Sequence, residues 1–555
     1  MLSELELSLS WPILGIFSLF IFSLLYYIHD DGGPPRLSET IPFFSNTLEL
    51  ATDPKRFWTR TLQTMQSLNT DIIRFRLNLH PVYVIIGEAK TNILFRPPLH
   101  TGLSAKRYFD AACEAMFAPT ARDRRRFVSD TTGFDPKKPV PGTEHVPDME
   151  RVWMRYHHSL QENLHRAPAS TSLTNRFFTQ FTARMAELFP LGESKEVLIW
   201  ELLHRHQTEI AGRALAGNLI FDMNPGYLEA TFQFELAVMQ ILFGPPRWLR
   251  PEPYRIREVV VAMHQRWMEK ALALSVTACD RLVLDSSSSS EWDPVFGSSL
   301  IKSMVRWGLE VGFDRDTIAG LCGFQILAAN SNSIPAAAWA VMGALTCPDP
   351  DLLPNLQREA EAAATVVLDD DDDDDTTGKR SLDVQRLTSA NAPWLQAVYT
   401  EVLRMRLVFI LIRDAERDTT IGEVHIPKGA TVKAPMMIAH YNEVWAMEGH
   451  PPEEFWPARH LRDAPDGKKK EFHMGRERSG YFFPYGGGNT ICPGRGFARQ
   501  QIVGTVAMFL AQFHVEVMGW MGDDGKPSER EARSGVGMIT AQPDRDLKLR
   551  VVRKW

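Results

Sequence analysis

The longest apolar stretch of the chain lies near its N-terminus, where no charged side chain occurs from Leu7 to Ile28. A helix of this length spans about 33 Å, close to the roughly 30 Å hydrocarbon core of a bilayer. A cleaved signal peptide is the alternative, but it requires a positively charged start. The residues before this stretch include two glutamates and no basic residue. The pattern therefore predicts a single transmembrane helix that anchors the protein through residues 1–30.

Helical periodicity dominates the rest of the chain. A long apolar pattern over about 315–345 predicts one long helix. A second helix is expected over 393–406, with Asn391 as its cap and a proline in its first turn. Alternation over 421–433 predicts short strands, and a terminal strand is expected over 549–552. The predicted fold is mainly α-helical with small β-sheets.

Residues 31–555 are predicted to form one domain, interrupted by two low-complexity tracts. Residues 286–290 are consecutive serines, and residues 369–375 are consecutive aspartates. Neither tract has apolar side chains to bury, and the aspartates repel one another, so both are expected to be solvated loops. Cation binding is the alternative for the aspartates, although nothing in their spacing fixes a coordination geometry.

Charge and cysteine content exclude several classes of protein. The chain has 61 Lys and Arg against 68 Asp and Glu, a net charge of -7, so it lacks the basic excess of a nucleic-acid-binding protein. The five cysteines are odd in number and show no CxxC pair. A disulfide framework or a zinc site is therefore not expected, and a body with reduced thiols that faces the cytosol fits better.

The strongest chemical signal is a glycine-rich loop that ends in a cysteine, FPYGGGNTICPGR from Phe483 to Arg495. Its glycines allow positive φ and close approach of the backbone to a large, flat group. Cys492 then precedes an apolar helical pattern, and a thiolate there is favoured by oriented N–H groups. This arrangement suits an axial thiolate ligand to iron. The alternative is a glycine-rich turn that contains a buried free cysteine.

A polar cluster interrupts the long apolar helix at Asn330-Ser331-Asn332-Ser333, shortly before Pro335. The proline is expected to kink the helix. Buried polar side chains need partners, so two interpretations stay open. The hydroxyls bond to carbonyls around the kink, or the polar groups face a bound ligand.

Two further arginine-containing motifs lie between this helix and the cysteine loop. Glu401 and Arg404 are three residues apart, which places them on one face of a helix; by itself such a pair is often an ordinary surface pair. Arg413 follows an apolar run, and its planar fork suits a carboxylate. A salt bridge from Arg413 to Asp414 or Glu416 is the alternative.

The cysteine loop resembles the haem-binding signature of the cytochrome P450 family, the haem-thiolate enzymes. Cys492 matches the axial ligand of haem b iron, and Gly488 matches the signature glycine. Tyr485 stands where the family has phenylalanine, and Thr490 stands where most members have Arg or His on a haem propionate. The branch with the bile-acid sterol hydroxylases and prostacyclin synthase resembles this chain in lacking that cation. The two low-complexity insertions and the unusual sequence elsewhere suggest a fungal member.

The resemblance also assigns roles outside the loop. It implies that Glu401, Arg404 and Arg459 form one buried hydrogen-bonded set that supports haem incorporation. It implies that Arg413 meets a haem propionate in place of Thr490.

The resemblance places Ser331 and Asn332 where the family has an acid and a threonine for proton delivery to dioxygen. An amide has no titratable proton, so Ser331, Ser333 or a held water would have to relay protons. We therefore take Asn332, Ser331 and Ser333 as the catalytic candidates.

The function implied by this resemblance is that of a membrane-anchored monooxygenase in the cytochrome P450 fold. It would oxidise a small apolar polycycle, such as a sterol, triterpenoid or other terpenoid of secondary metabolism. It would use O2 and electrons from NADPH-cytochrome P450 reductase, docked near 468–470, Arg476 and Arg478. The endoplasmic reticulum membrane is the expected location, with the catalytic domain in the cytosol. A reductase-independent isomerase or dehydratase of peroxides and a non-catalytic haem sensor are the alternatives.

Overall fold

The computed structural model describes residues 32–41, 44–166, 168–277, 292–367, 379–388, 390–465, 467, 469–522, 524–534 and 539–555. The predicted membrane anchor and both low-complexity tracts lie outside these ranges. Within them, none of the helices combines the length and the apolar character needed to cross a bilayer.

A small β-rich unit is formed by the residues up to Ser104 together with 410–439. Its helical segments are Ser45–Thr52, Pro54–Ser67, Glu88–Thr91, Asn92–Phe95, Pro98–Thr101 and Met436–Ala439. Its main sheet has the strand order Ile72–Leu77, His80–Ile85, Thr431–Pro435, Ile410–Ala415, Leu103–Ser104. The pairing between Thr431–Pro435 and His80–Ile85 is parallel and the other pairings are antiparallel. A separate hairpin pairs Thr419–Ile421 with Val424–Ile426, so the short strands predicted over 421–433 are confirmed.

A larger, mainly helical unit comprises 105–409 and 440–555. Its helical segments are Lys106–Ala112, Cys113–Phe117, Ala121–Ser129, Asp148–Glu150, Val152–Leu164, Ala169–Leu188, Ile199–Ala216, Leu219–Met223, Tyr227–Phe243, Glu252–Thr277, Ser299–Glu310, Arg315–Asn330, Ser333–Thr346, Leu352–Ala363, Val384–Leu387, Pro393–Arg406, Glu443–Trp445, Pro457–His460, Gly488–Thr490 and Arg495–Gln512. Its strands are Ser194–Leu198, Ala364–Val367, Lys379–Leu382, Leu461–Asp463, Lys470–Phe472, Phe513–Met521, Pro527–Ser528 and Asp546–Arg553. The last of these confirms the predicted terminal strand.

The apolar cores of the larger unit form because its central helices are hydrophobic on nearly every side. Helices Ser333–Thr346 and Arg495–Gln512 are buried over most of their lengths and pack in one core. Helix Arg315–Asn330 belongs to a second core. Gly320 allows this helix to approach its neighbour, since a Cβ there would lie 1.7 Å from the Phe117 carbonyl oxygen. A helix that is apolar all round must be buried, so these helices form the interior.

The single helix predicted over 315–345 is wrong, because the structure has two helices separated at Ser331 and Asn332. Pro335 lies in the first turn of the second helix. A proline lacks an N–H, but the first N–H groups of a helix have no partner within the helix. The interruption therefore falls before the proline, where polar side chains can bond to the free backbone groups.

The helix Pro393–Arg406 was predicted correctly, but its cap was not. Its N-terminal neighbour is Ala392, whose side chain cannot accept a hydrogen bond. Instead, the carboxylate of Glu359 on helix Leu352–Ala363 accepts the backbone N–H groups of Trp394 and Leu395 at 3.0 and 2.9 Å. Burial raises the pKa of Glu359 to about 7, although both N–H donors oppose this rise.

This cap predicts a pH-dependent stability. Because the folded-state pKa of Glu359 is raised, its contribution to the free energy of unfolding is complete below its ordinary pKa and is lost as pH rises through about 7. Glu359→Gln removes the titration and keeps one acceptor. The melting temperature of the unmodified protein minus that of the variant should therefore fall between about pH 5 and about pH 8. The exposed Glu361→Gln on the same helix should give no such trend, and equal trends in the two variants would contradict the assignment.

Candidate active site

The cysteine loop contains the short helix Gly488–Thr490, and Cys492 lies between this turn and the buried helix Arg495–Gln512. Gly486 and Gly488 have φ values of 71° and 63°, in the region that favours glycine. The loop folds back on itself, because the Cys492 N–H donates to the Tyr485 carbonyl oxygen at 2.9 Å. These turns place Cys492 just before the N-terminus of the helix, as the sequence predicted.

The thiol of Cys492 differs from those of the other cysteines in the described ranges. Cys113 and Cys322 are buried and Cys347 is half-buried, whereas Cys492 is exposed. Desolvation by the protein atoms around the thiol raises the pKa of Cys492. The N–H groups of Gly494 and Arg495 and the charge of Arg495 oppose that rise. A positive ion at the sulfur would complete the stabilisation of a thiolate.

Two side chains, one from helix Val152–Leu164 and one from the loop itself, support the loop at its backbone. His157 Nε2 lies 3.2 Å from the carbonyl oxygen of Ile491, and burial lowers the pKa of His157. A neutral His157 therefore donates this bond. Arg495 Nη1 donates to the Cys492 carbonyl oxygen at 3.0 Å, and its Nη2 lies 2.9 Å from His165 Nε2. Sequence reasoning gave His157 no role; its spacing four residues after Trp153 was the available signal.

A pair of tyrosines joins the cysteine loop to the helix Pro393–Arg406. The hydroxyl oxygens of Tyr399 and Tyr485 are 2.8 Å apart. Burial raises the pKa of Tyr399 to about 12 and that of Tyr485 well above its ordinary value, so both hydroxyls are protonated. The tyrosine at the signature position thus forms a hydrogen bond that a phenylalanine cannot form.

The predicted buried set of Glu401, Arg404 and Arg459 is confirmed. Glu401 Oε2 and Oε1 accept from Arg404 Nε and Nη2, both at 2.8 Å, and Oε1 also accepts from Arg459 Nε at 2.9 Å. The Trp456 N–H donates to Oε1 at 3.0 Å. Burial alone would raise the pKa of Glu401, but the Arg404 guanidinium and the other donors hold it well below its ordinary value.

His460 is a further member of this set, and the sequence analysis did not predict it. Its Nε2 lies 2.9 Å from Glu401 Oε2, and its side chain is fully buried. Burial lowers the pKa of His460, and a carboxylate can only accept. Nε2 of a neutral imidazole therefore donates to Glu401. A polar residue directly after Arg459 was the signal for this role.

The helix break brings Asn332 against the C-terminal part of the chain. Asn332 Oδ1 accepts the backbone N–H groups of Ile539 and Thr540, each at 3.2 Å. The amide carbonyl therefore fixes this segment, and the Nδ2 group remains as its donor. Ser331 beside it is buried.

Ser333 follows the first of the two interpretations left open by the sequence. Its Oγ lies 2.6 Å from the Ala329 carbonyl oxygen and 2.6 Å from Gln501 Oε1. The hydroxyl thus bonds across the break and to helix Arg495–Gln512. Both contacts of the Ser333 hydroxyl are therefore made to other groups of the protein.

The segment that Asn332 holds is bonded along its length. The Val408 N–H donates to the Ile539 carbonyl oxygen at 2.9 Å, and the Ala541 N–H donates to the Arg406 carbonyl oxygen at 2.9 Å. Trp339 Nε1 donates to the Ala541 carbonyl oxygen at 2.7 Å. The Arg406 guanidinium lies over the Trp339 ring, 3.7 Å from its centroid. The helix break, the end of helix Pro393–Arg406 and this segment therefore meet at one place.

Two other predicted site residues, Thr490 and Arg413, contact carbonyl oxygens of residues close to them in the chain. Thr490 Oγ1 lies 3.3 Å from the Gly487 carbonyl oxygen. Arg413 lies on strand Ile410–Ala415 of the smaller unit, where its Nη1 donates to the Ile412 carbonyl oxygen at 2.9 Å. Burial lowers the pKa of Arg413 to about 10. The roles predicted for both at a haem propionate stay predictions.

One residue of the predicted reductase-docking surface is not available there. Arg478 is buried, and its Nη1 donates to the Arg459 carbonyl oxygen at 2.8 Å. The guanidinium extends the Glu401 set instead. Lys470 and Arg476 are exposed, and Lys470 Nζ lies 2.9 Å from Asp463 Oδ1. Lys468 lies outside the described ranges.

Comparison with known proteins identifies the family. The cytochrome P450 family model matches residues 240–544. The chain is 32% identical to the cytochrome P450 monooxygenase calL of Penicillium decumbens over 528 residues, covering 94% of this chain and 93% of that protein. It is 27% identical to the cytochrome P450 monooxygenase fsoE of Humicola fuscoatra over 63% of this chain and 61% of that protein. It is 25% identical to the cholesterol 7-alpha-monooxygenase of Cricetulus griseus over 40% of this chain and 43% of that protein.

The chain therefore belongs to the cytochrome P450 family, and it is a haem-thiolate monooxygenase. The resemblance inferred from the sequence, including its fungal character, is confirmed. The cofactor of the family is haem iron with a cysteine as axial ligand. The loop fits this group, since Cys492 is the exposed thiol among the described cysteines and is flanked by two N–H donors.

The tyrosine pair predicts non-additive mutational effects. Tyr485→Phe leaves the hydroxyl of the half-buried Tyr399 without its partner and should lower the free energy of unfolding by about 1 kcal/mol. Tyr399→Phe should act similarly, and the double variant should cost less than the sum of the single variants. Denaturation of the haem-loaded protein measures these values. Tyr441→Phe, which breaks the separate bond to the Met405 carbonyl oxygen, should add independently to either variant. Additivity of the first pair would refute the coupling.

Proposed function

We propose that this enzyme hydroxylates or otherwise oxidises an apolar polycyclic small molecule, such as a sterol, triterpenoid or other terpenoid of secondary metabolism. The observation that carries the proposal is the exposed Cys492 thiol before helix Arg495–Gln512, in a chain of the P450 family. The names of the fungal relatives give no substrate, and the name of the Cricetulus griseus relative gives a sterol. A sterol-like substrate rests on that partial likeness and on the apolar surroundings of the helix break.

When bound, the haem would supply the oxidative chemistry. Cys492 would ligate the iron, and the N–H groups of Gly494 and Arg495 would favour its thiolate form. The positive φ of Gly488 and the hydrogen bond between Tyr485 and Tyr399 would keep the loop in its conformation. Thr490 is retained as a haem-contacting residue. Arg413 is retained for a propionate on the family resemblance.

An apolar helix face with a single amide supports an apolar substrate. Phe324 and Ala328 are one helical turn apart and partly exposed, and Asn332 follows them, also partly exposed, at the break. The intervening Gln325–Leu327 are buried. The Phe324 ring and the Ala328 methyl group would pack against the hydrocarbon part of a substrate. Asn332 Nδ2 would orient one polar substituent of that substrate.

The second candidate function is rearrangement of a peroxide, which needs no reductase. It is favoured by Ser331 and Asn332, which put no titratable carboxyl at the helix break. Peroxide rearrangement needs no protons delivered to dioxygen, whereas hydroxylation needs them. The choice therefore depends on whether product formation requires NADPH.

The cellular setting is part of the proposal. The uncharged run from Leu7 to Ile28 would anchor the protein in the endoplasmic reticulum membrane, with the catalytic part in the cytosol. NADPH-cytochrome P450 reductase would supply electrons, docking at a surface that includes the exposed Lys470 and Arg476.

The ligand assignment predicts a spectroscopic loss. Cys492→Ser replaces the thiol with a weaker, harder ligand, so the red-shifted ferrous–CO band typical of thiolate ligation should disappear. Cys347→Ser, at a half-buried cysteine whose Sγ lies 3.6 Å from the Phe455 carbonyl oxygen, should keep the band. Retention of the band in Cys492→Ser would contradict the assignment.

A spin-state titration followed by a turnover assay identifies the substrate class and distinguishes hydroxylation from peroxide rearrangement. Sterols, triterpenoids and smaller terpenoids are added to the haem-loaded protein while the iron spin state is monitored. We expect a low-to-high spin shift with an apolar polycycle, followed by NADPH-dependent oxygenation with reductase present. Turnover of a hydroperoxide or endoperoxide without NADPH, together with no shift across the panel, would replace hydroxylation by peroxide rearrangement.

A further inference from the structure

A buried glutamate contacts the C-terminal segment that is bonded to the helix break. Glu235 lies on helix Tyr227–Phe243 and is 3% exposed. Its Oε2 accepts from Gln542 Nε2 at 3.4 Å. Gln542 is two residues after Thr540, whose backbone N–H donates to Asn332 Oδ1. Glu235 therefore ties its helix to the segment beside the helix break.

The same oxygen of Glu235 also contacts helix Ile199–Ala216. His204 Nε2 lies 3.2 Å from Glu235 Oε2, and an ionised carboxylate only accepts hydrogen bonds, so the imidazole donates. The His204 ring stacks on Trp200, with a centroid distance of 4.3 Å, and on Phe232, at 3.9 Å. Phe232 is on the helix that carries Glu235. Stacking on two rings fixes the imidazole, and the imidazole in turn orients the carboxylate.

The segment to which Gln542 belongs is itself fixed. Its earlier residues are bonded to Asn332 and to the end of helix Pro393–Arg406. Asp546, four residues after Gln542, accepts two backbone N–H groups at the start of helix Ile199–Ala216, at 2.7 and 2.9 Å. The bond from Gln542 to the glutamate therefore holds helix and glutamate against a part of the molecule that has its own supports.

Helix Tyr227–Phe243 has another buried polar contact at its start. Tyr227 Oη lies 2.9 Å from His264 Nε2 on helix Glu252–Thr277. Burial lowers the pKa of His264 to about 3, so the imidazole is neutral. This contact joins the helix to its neighbour in the chain, whereas Glu235 joins it to the segment beside the helix break.

The other carboxylate oxygen of Glu235 has no donor. None of the described residues bonds to Oε1, and a buried carboxylate oxygen without a donor is costly. The position of the side chain therefore depends on the two bonds at Oε2. A glutamine would keep both bonds through its carbonyl oxygen, and its NH2 group would take the place of Oε1.

We propose that Glu235 is a positioning residue for the substrate site, because it holds helix Tyr227–Phe243 at a fixed distance from the segment bonded to Asn332. The inference rests on the proposed function, in which a substrate packs beside Asn332. When the bonds at Oε2 are lost, Tyr227 still joins the helix to its neighbour, but the helix opens locally away from the segment. The space beside Asn332 then widens.

Three variants test the acceptor at Glu235. Glu235→Met keeps the length of the side chain and removes the acceptor, whereas Glu235→Gln keeps an acceptor for both donors. Gln542→Met removes the donor on the segment. Glu229→Met is the matched control, since Glu229 is the other charged residue of the same helix. Its Oε1 accepts from Arg205 of helix Ile199–Ala216 at 3.3 Å, a bond that does not involve the C-terminal segment.

The first measurement is amide hydrogen–deuterium exchange of the haem-loaded protein, in peptides that cover 227–243. We expect exchange to be faster by about twofold to tenfold in Glu235→Met and in Gln542→Met, because each loses a hydrogen bond that closes the helix onto the segment. The double variant should exchange no faster than Glu235→Met, because both changes remove the same contact. Glu235→Gln and the control should match the unmodified protein. Unchanged exchange in both single methionine variants would overturn the proposal.

The second measurement reports on the site and needs neither turnover nor the natural substrate. Imidazole and 4-phenylimidazole are titrated into the haem-loaded protein while the absorbance of nitrogen-ligated haem is monitored. We expect Glu235→Met to raise the dissociation constant of 4-phenylimidazole severalfold and to leave that of imidazole unchanged, because only the larger probe contacts the walls of the site. The ferrous–CO band should be unchanged, and Glu235→Gln should restore the affinity. Equal affinities of the unmodified protein and Glu235→Met for 4-phenylimidazole would overturn the proposal.

A spin-state titration with sterols and terpenoids distinguishes this role from the proposed function. If none of them shifts the spin state while exchange and 4-phenylimidazole binding change as expected, the proposed substrate class fails and the positioning role stands. If a polycycle shifts the spin state with the same dissociation constant in the unmodified enzyme and in Glu235→Met, the positioning role fails and the proposed function stands.

Discussion

The buried carboxylate of Glu401 is the constraint on which the larger unit depends. A carboxylate out of water is costly unless its oxygens are fully hydrogen-bonded. Glu401 reaches that condition only when Arg404, Arg459, His460 and the Trp456 N–H are all in place. Removing one partner from such a set costs on the order of 3–5 kcal/mol. The helix that carries Glu401 is therefore held in one position relative to the segment around Arg459.

The same helix transmits this fixed position to the site. Tyr399, less than one turn before Glu401, bonds to Tyr485 of the cysteine loop. Arg406, at the other end, stacks on Trp339, and its carbonyl accepts the Ala541 N–H. One helix thus sets both the loop that carries Cys492 and the segment that Asn332 holds. The Glu359 carboxylate, on another helix, accepts two backbone N–H groups at the N-terminus of this helix. The position of the helix therefore depends on its neighbour as well as on its own residues.

The polar residues at the helix break satisfy backbone groups on one side and leave polar atoms unpaired on the other. Asn332 accepts two N–H groups of the C-terminal segment, whereas Ser333 and Asn330 face the amides of neighbouring helices. A break in an apolar helix exposes backbone donors and acceptors that must be bonded. The chain therefore uses amides and hydroxyls here, and the same groups supply hydrogen bonds next to the site without a titratable carboxyl.

The sequence by itself determined the cysteine ligand candidate and helix Pro393–Arg406, because these features depend on local spacing and residue type. Its resemblance to a known family implied the family and the buried set around Glu401. It also indicated the short strands near 421–433. Only the tertiary structure decided that the helix over 315–345 is broken, that His460 completes the Glu401 set and that Glu359 caps a distant helix. It also decided that Arg478 is buried and that Glu235 contacts Gln542. Each of these depends on a partner far away in the chain, and local periodicity carries no information about which distant side chain will satisfy a buried polar group.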